Sequence, residues 1–343
     1  SLFTFPYKNE TTRTVHLKRI LFHSNDIIGQ GTIVIRVVCH CDGKCNWCGK
    51  KFILKLCFPS ATRVPEQTFM DRCKKLAQGD HAWVLNHLPH IYQSFDIQLR
   101  KNTPQANFKE KFADHSEIRL MRGLIQEKLQ PLSSLDTAKD CAQVFYDIVQ
   151  CLHWAWKHPQ ILHRDISRGN ILVREKNGEV YGVLNDWDLA IWLNDQCDGP
   201  TSQFRTGTKP YMAREQHGIK WEGPHRFRHD LESVFYVILL LVCLYSNPRE
   251  RAVEPNTEKY DYEEWHQRGD SFLEGRKVIS ILAGTWKAPV TPFFCRFALW
   301  LTNLHRSLCS SILAREAHRD AEEIAKEARV GNRKRCCSST RIL

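Results

Sequence analysis

Residues 161–173 read Ile-Leu-His-Arg-Asp-Ile-Ser-Arg-Gly-Asn-Ile-Leu-Val, a polar loop set between two apolar, strand-prone runs. Inside the loop the carboxylate of Asp165 is followed five positions later by the neutral amide of Asn170. Phosphoryl transfer needs such a pair. A carboxylate must orient the attacking hydroxyl and take its proton, and a neutral oxygen must help to hold a magnesium ion, because the transition state is managed by positioning and charge neutralisation. A second carboxylate follows in Leu184-Asn-Asp-Trp-Asp-Leu-Ala190, where Asp186 is the candidate metal ligand. Between the two lie residues 171–175, the turn signal Lys176-Asn-Gly178 and residues 180–184, which read as a β-hairpin presenting Asn170 and Asp186 from one end. An isolated aspartate is ordinarily a solvated loop residue. Two motifs in order at hairpin spacing argue against coincidence.

Two further motifs extend the pattern. Gly207-Thr-Lys-Pro-Tyr-Met-Ala-Arg-Glu215 is similar to the Gly-Thr-x-x-Tyr-x-Ala-Pro-Glu end of a protein-kinase activation segment, with Arg214 in place of proline. His229-Asp-Leu-Glu-Ser-Val-Phe-Tyr-Val237 resembles the start of the buried helix whose aspartate, here Asp230, anchors the catalytic loop. Together with His-Arg-Asp-Ile-Ser-x-x-Asn-Ile and Asp-Trp-Asp-Leu-Ala, these motifs resemble the fungal-specific protein-kinase-like family over most of residues 15–310. The segment Gly79-Asp-His-Ala-Trp-Val-Leu-Asn-His-Leu-Pro89 fits the same family.

The resemblance implies an α+β, bilobal protein-kinase-like fold, with a small β-rich N-lobe and a larger helical C-lobe. It implies an ATP- and Mg2+-dependent serine/threonine protein kinase acting on protein substrates. In that reading Asp165 is the catalytic base, Asn170 and Asp186 hold the metal, and Arg164 is placed to pair with an activation-segment phosphate. The candidate phosphate-bearing hydroxyls are Thr201, Ser202 and Thr206, whereas Thr208 lines the substrate site beside Asp165. Lys55, embedded in the apolar strand Lys51-Phe-Ile-Leu-Lys-Leu-Cys57, holds the phosphates, with Glu66 as its candidate partner. Gly29 and Gly31 of Asn25-Asp-Ile-Ile-Gly-Gln-Gly-Thr-Ile-Val34 cover them, although Val34 stands where a third glycine belongs. Backbone groups near Glu127 and Leu129 take the adenine by position. There are departures: Ser167 replaces the lysine usual two residues after the catalytic aspartate, and Asp188 replaces the glycine of Asp-Phe-Gly, removing backbone freedom. Two rivals are a pseudokinase that binds without transferring and a small-molecule kinase of the choline or aminoglycoside type. The segment 207–215, a platform for peptide substrates, argues against the second.

Those residues need a scaffold, and 343 residues at 42% hydrophobic supply a full core. The net charge of +11 raises nucleic-acid binding, but the basic residues are scattered and thicken only toward the C-terminus, so no groove-like patch is read. The opening residues lack a basic region followed by an apolar core, so no secretory signal is read, and the initial serine suits a fragment or a processed chain. The longest apolar run, residues 234–245, is too short to span a bilayer and reads as a buried helix. No membrane is expected, and the cytoplasm or nucleus follows by default. Most of the 14 cysteines read as small core residues. Cys45 and Cys48 have zinc-knuckle spacing, with Cys39 and Cys41 available to complete a tetrahedral site, but no second Cys-x-x-Cys lies farther along; a strand-connecting turn with incidental thiols is the preferred reading.

The elements are placed as follows. Residues 1–14 are expected to be an extended, unpatterned lead-in, 15–128 the N-lobe, 129–310 the C-lobe and 311–343 a charged helix with a basic tail. Strands are expected at 14–22 and 33–38, and a helix from Glu66 to about Gln78 with Phe69, Met70, Cys73 and Leu76 on one face. Strands are expected over 86–98, a polar surface excursion over 101–114, and the last N-lobe strand within 117–129. A long helix over 136–156 repeats Val144, Ile148, Cys151, Leu152 and Ala155 at helical spacing. Further helices are expected at 275–286, 293–310 and 316–329.

Overall fold

A computed structural model describes residues 1–7, 11–24, 31–41, 43, 45–97, 119–195, 207–218, 221, 223–253, 261–282 and 286–338. The chain forms two compact units, Ser1–Thr208 with Glu222–Asp230, and Lys209–Trp221 with Leu231–Leu343.

The first unit opens with an antiparallel sheet of strands β1 (Leu2–Pro6), β2 (Thr12–His23), β3 (Ile33–Cys39), β4 (Phe52–Cys57), β5 (Ile91–Ile97) and β6 (Met121–Glu127), in the order β1-β2-β3-β4-β6-β5. Residues 1–14 are therefore more than a lead-in. Alternation over Phe3, Thr4 and Phe5 turns both aromatics toward one face, and β1 pairs with β2 from Leu2↔His16 to Pro6↔Thr12. Phe5 is buried and stacks on Phe95 with centroids 5.1 Å apart, in a core shared with Val15, Val37, Trp47, Phe52, Leu54 and Ile125. Burial of one such aromatic is worth about 2–3 kcal/mol. Across β5 and β6, Phe95 lies opposite Gly123, where a Cβ would sit 2.1 Å from its ring, so only glycine admits the phenyl group.

Helix α1 (Glu66–Leu76) buries Phe69, Met70 and Cys73, and Glu66 itself. A 3-10 helix, Gly79–His87, follows, so the strand expected from residue 86 begins only at Ile91. Helix α2 (Ala138–Lys157) starts at Thr137, whose Oγ1 accepts the Asp140 N–H at 3.0 Å, and it buries the expected face. Short strands β7 (Gln130–Pro131), β8 (Ile161–Leu162) and β11 (Ile191–Trp192) frame the hairpin of β9 (Ile171–Lys176) and β10 (Glu179–Leu184). Lys176 pairs with Glu179, and Asn177 and Gly178 take φ of 55° and 79°, the left-handed pair required by a two-residue turn that matches strand twist. Behind the hairpin α2 approaches so closely that a Cβ on Gly182 would lie 2.5 Å from the Val144 carbonyl; the Gly182 N–H donates to Asp147 at 2.8 Å instead.

Helix α3 (Phe227–Leu244) opens on the Asp230 turn, and its residues from Val234 to Leu244 are all buried. In the second unit, α4 (Asp270–Leu282) begins earlier than expected, and the helices expected at 293–310 and 316–329 are one, α5 (Phe297–Ser338). Glu215 pairs with Arg315 at 3.2 Å. Arg214, which stands where the similar motif carries proline, donates its N–H to Glu232 at 2.7 Å, a bond that proline cannot make. Lys277 is fully buried and donates to the Met212 carbonyl and to His217 Nε2 at 3.0 Å; burial pushes its pKa down to about 7. No described helix is long and apolar enough to cross a membrane.

The sulfurs of Cys39, Cys41, Cys45 and Cys48 all lie within 4.8 Å of one another.

Candidate active site

Lys55 sits at the centre of the sheet, paired with Val34 on one side and Leu124 on the other. Its side chain is buried, and a buried ammonium persists only with counter-charges. Three carboxylates supply them: Asp188 at 2.6 Å, Asp186 at 2.7 Å and Glu66 at 3.5 Å. Burial alone would lower the Lys55 pKa, but Asp186, Asp188 and Glu66 outweigh it and hold it well above the ordinary value. Burial likewise raises Asp186, and the Lys55 charge reverses this, so Asp186 stays anionic. Glu66, the deepest of the three, is pushed up to about 7 by burial, which Lys55 only partly offsets. Each member of the pair Lys55–Glu66 arrives from a different element, β4 and α1.

The loop that follows β8 is pinned from beneath. Asp230 Oδ2 accepts the His163 N–H and Oδ1 the Arg164 N–H, each at 3.0 Å, while His225 Nε2 donates to Oδ1 at 2.8 Å. Burial would raise the Asp230 carboxyl; His225 and these bonds hold it below the usual range. Arg164 takes φ 72° and Asp186 φ 66°, left-handed conformations that cost a non-glycine residue about 1 kcal/mol each. His163 Nε2 faces the Asn185 carbonyl at 3.1 Å, which can only accept, so that nitrogen carries the proton and Nδ1 accepts the Asp165 N–H at 3.3 Å. Trp187, fully buried, meets the His163 ring edge-on at 4.7 Å.

Asp165 is held on both oxygens. Its Oδ1 accepts the Thr208 N–H and the Thr208 hydroxyl, each at 2.9 Å, and its Oδ2 accepts Asn170 Nδ2 at 2.9 Å. The same Asn170 nitrogen donates to the Asp165 carbonyl at 2.8 Å, so the amide oxygen of Asn170 is the atom left to meet a cation. Burial, and then the charge of Asp186, push the Asp165 carboxyl above the ordinary aspartate range. Two carboxylates in one site are thus driven in opposite directions, one toward protonation and one away from it.

Asp165, Ser167, Asn170, Asp186, Lys55 and Thr208 all line one cavity of about 830 Å³, roofed by Gly31 and bordered by Leu129. Gly31 has φ 58°. Glu127 does not line the cavity with its side chain, although the next two residues, Lys128 and Leu129, do border it. The Glu127 N–H donates to the His90 carbonyl at 3.0 Å, and its carboxylate turns away to Arg174. Gly29, the hydroxyls Thr201, Ser202 and Thr206, and the excursion 101–114 lie outside the described residues. Two lining residues were missed by sequence reasoning. Asp188, noted only as a lost glycine, is a third counter-charge for Lys55, and the Asp-x-Asp doublet 186–188 was its signal. Gln126 donates to Asn185 Oδ1 at 3.0 Å, while its buried Oε1 has no hydrogen-bond partner among the described residues; nothing local marks it.

Against known proteins, the model of the family described as fungal protein kinase matches residues 3–243. Among solved structures, that of vaccinia related kinase 3 aligns with a TM-score of 0.55 at 12% identity, covering 90% of this chain and 83% of its own, a likeness of fold. No curated protein matches the sequence.

Proposed function

The chain belongs to the fungal protein kinase family, and from that premise we propose that it transfers the γ-phosphoryl of ATP to serine or threonine hydroxyls of protein substrates. The observation that carries this reading is the fixing of Asp165 by Thr208 and Asn170 in the cavity that also holds Lys55 and Asp186. A carboxylate held on both oxygens, with its pKa raised, is oriented and basic enough to accept the proton of an attacking hydroxyl. Lys55 can exchange its carboxylates for phosphate oxygens. Gly31 lets the backbone come close to those phosphates, and the backbone near Leu129 is the adenine contact by position.

The donor set suits magnesium. It offers hard oxygen ligands only: the Asn170 amide oxygen and the anionic Asp186, with Asp188 and Glu66 near enough to Asp186 to share a cation. When bound, magnesium supplies charge neutralisation at the β- and γ-phosphates. Ser167, small and uncharged, leaves the phosphate charge to Lys55 and the metal.

A second reading, nucleotide binding without transfer, is favoured by the closure of Lys55 onto Asp186 and Asp188. The test is transfer of labelled γ-phosphate from ATP with magnesium to a generic basic acceptor protein. Label in the acceptor supports the kinase; bound nucleotide without label supports the second reading.

A further inference from the structure

We propose that Cys39, Cys41, Cys45 and Cys48 form a closed zinc site that fastens the β3–β4 connection. Nothing in the phosphoryl-transfer reading uses these residues. Cys39 ends β3, and Cys41 follows two positions on; residues i and i+2 of an extended chain project to the same side. Cys45 and Cys48 come from the turn that returns to β4, where the Cys48 N–H donates to the Cys45 carbonyl at 3.1 Å. Gly43 and Gly49 take φ of 83° and 73°, bending the chain before and after this second pair. The i,i+2 pair of the strand thereby meets the i,i+3 pair of the turn.

The sulfurs form a cluster with five separations of 3.0–3.5 Å: Cys39–Cys41 at 3.3 Å, Cys39–Cys45 at 3.3 Å, Cys41–Cys45 at 3.4 Å, Cys41–Cys48 at 3.0 Å and Cys45–Cys48 at 3.5 Å. All four are free thiols. A regular tetrahedron of sulfurs about zinc has edges of about 3.8 Å, given the Zn–S bond length of about 2.3 Å. The sulfurs need to spread by less than about 1 Å to hold the ion. Four thiolates around a central ion fit a soft, tetrahedral, d10 metal, and with no open position the site is structural and not catalytic.

The surroundings are arranged for a thiolate. The Trp47 N–H points at Cys45 Sγ at 3.3 Å, and the Arg13 guanidinium lies 4.0 Å from the same sulfur, offsetting part of the excess negative charge of a tetrathiolate site. Arg13 also lies over the Trp47 ring at 4.3 Å, and Trp47 packs on Phe52 in the sheet core with centroids 4.8 Å apart. Zinc here would fix Trp47, the only buried residue among those described in the turn, and through it the packing beneath β4, the strand of Lys55.

The experiment uses the full chain, purified under reducing conditions from zinc-supplemented cells, with metal measured by mass spectrometry. About one zinc per chain is expected. Cys45→Ser should lose it, whereas Cys295→Ser, at an exposed thiol of the second unit, should keep it. Stripping the metal with a chelator should lower Tm by about 5 °C or more. If Cys45→Ser does not fold, cobalt exchange into the native chain decides, and the visible spectrum of a tetrahedral tetrathiolate site is expected. Absence of bound metal in the native chain, iron in place of zinc, pairwise disulfides among the four cysteines, or a cobalt spectrum lacking thiolate charge transfer would each overturn the proposal.

Discussion

The carboxylate of Asp188 stands 2.6 Å from the ammonium of Lys55, closer than Asp186 at 2.7 Å and much closer than Glu66 at 3.5 Å. The residue that replaces a glycine thus does more than restrict the backbone. It adds a second anion beside the metal-binding candidate, and two adjacent carboxylates favour a divalent cation over a lone lysine. In Asp188→Asn the magnesium concentration needed for half-maximal nucleotide binding should rise about tenfold, measured by titrating magnesium at fixed ATP. An unchanged requirement would mean that Asp188 serves Lys55 alone.

Glu66 ties stability to pH in a defined direction. Its carboxyl rises from 4.5 to about 7 on folding, because burial outweighs Lys55. Between those values the folded state binds more protons than the unfolded one, so this contribution to stability falls as pH rises and levels off above about 7. The swing is on the order of 3 kcal/mol. Denaturant unfolding of the native chain and of Glu66→Gln across that range should show the fall in the former and its loss in the latter. Parallel curves for the two proteins would contradict the buried placement of this carboxylate.

Asp230 works in the opposite sense. Its folded carboxyl lies below the ordinary aspartate value, so its contribution is complete above about pH 4 and disappears as pH falls through the depressed value. Asp230→Asn keeps the size but offers one acceptor where two oxygens now receive the His163, Arg164 and His225 donors. A loss of about 2–4 kcal/mol is expected near neutral pH. The gap from the native chain should narrow in acid; a gap independent of pH would mean that the carboxylate charge is not what anchors the loop.

What could be read from the sequence was local. The Asn177–Gly178 turn declares its hairpin through residues that tolerate positive φ, and Asp165 and Asn170 declare their chemistry within six residues. The kinase-like fold followed from those motifs in order. Relationships distant in sequence were not legible: Lys55 and Asp186 are 131 positions apart, Asp188 lies farther still, and no pattern at these positions points from one to the other. The role of Phe5 was hidden because a five-residue strand offers too short an alternation, and its partner Phe95 belongs to another edge of the same sheet. Cys45 and Cys48 show their spacing in the sequence, whereas the approach of Cys39 and Cys41 to them depends on a strand end meeting a turn, which spacing alone does not encode. The pairing of the Glu127 carboxylate with Arg174 from β9 is a further long-range relationship that neither position announces.

The most direct measurement compares the native chain with Asp165→Asn in one experiment, following both ATP binding and label transfer to a basic acceptor with magnesium present. Asparagine preserves the shape that Thr208 and Asn170 hold but cannot take a proton. The expected result is equal nucleotide binding in both, with transfer in the native chain and a loss of at least about a hundredfold in the variant. Transfer surviving unchanged in Asp165→Asn, or absent from a native chain that binds ATP and magnesium, would contradict the assignment of Asp165 as the base of a protein kinase.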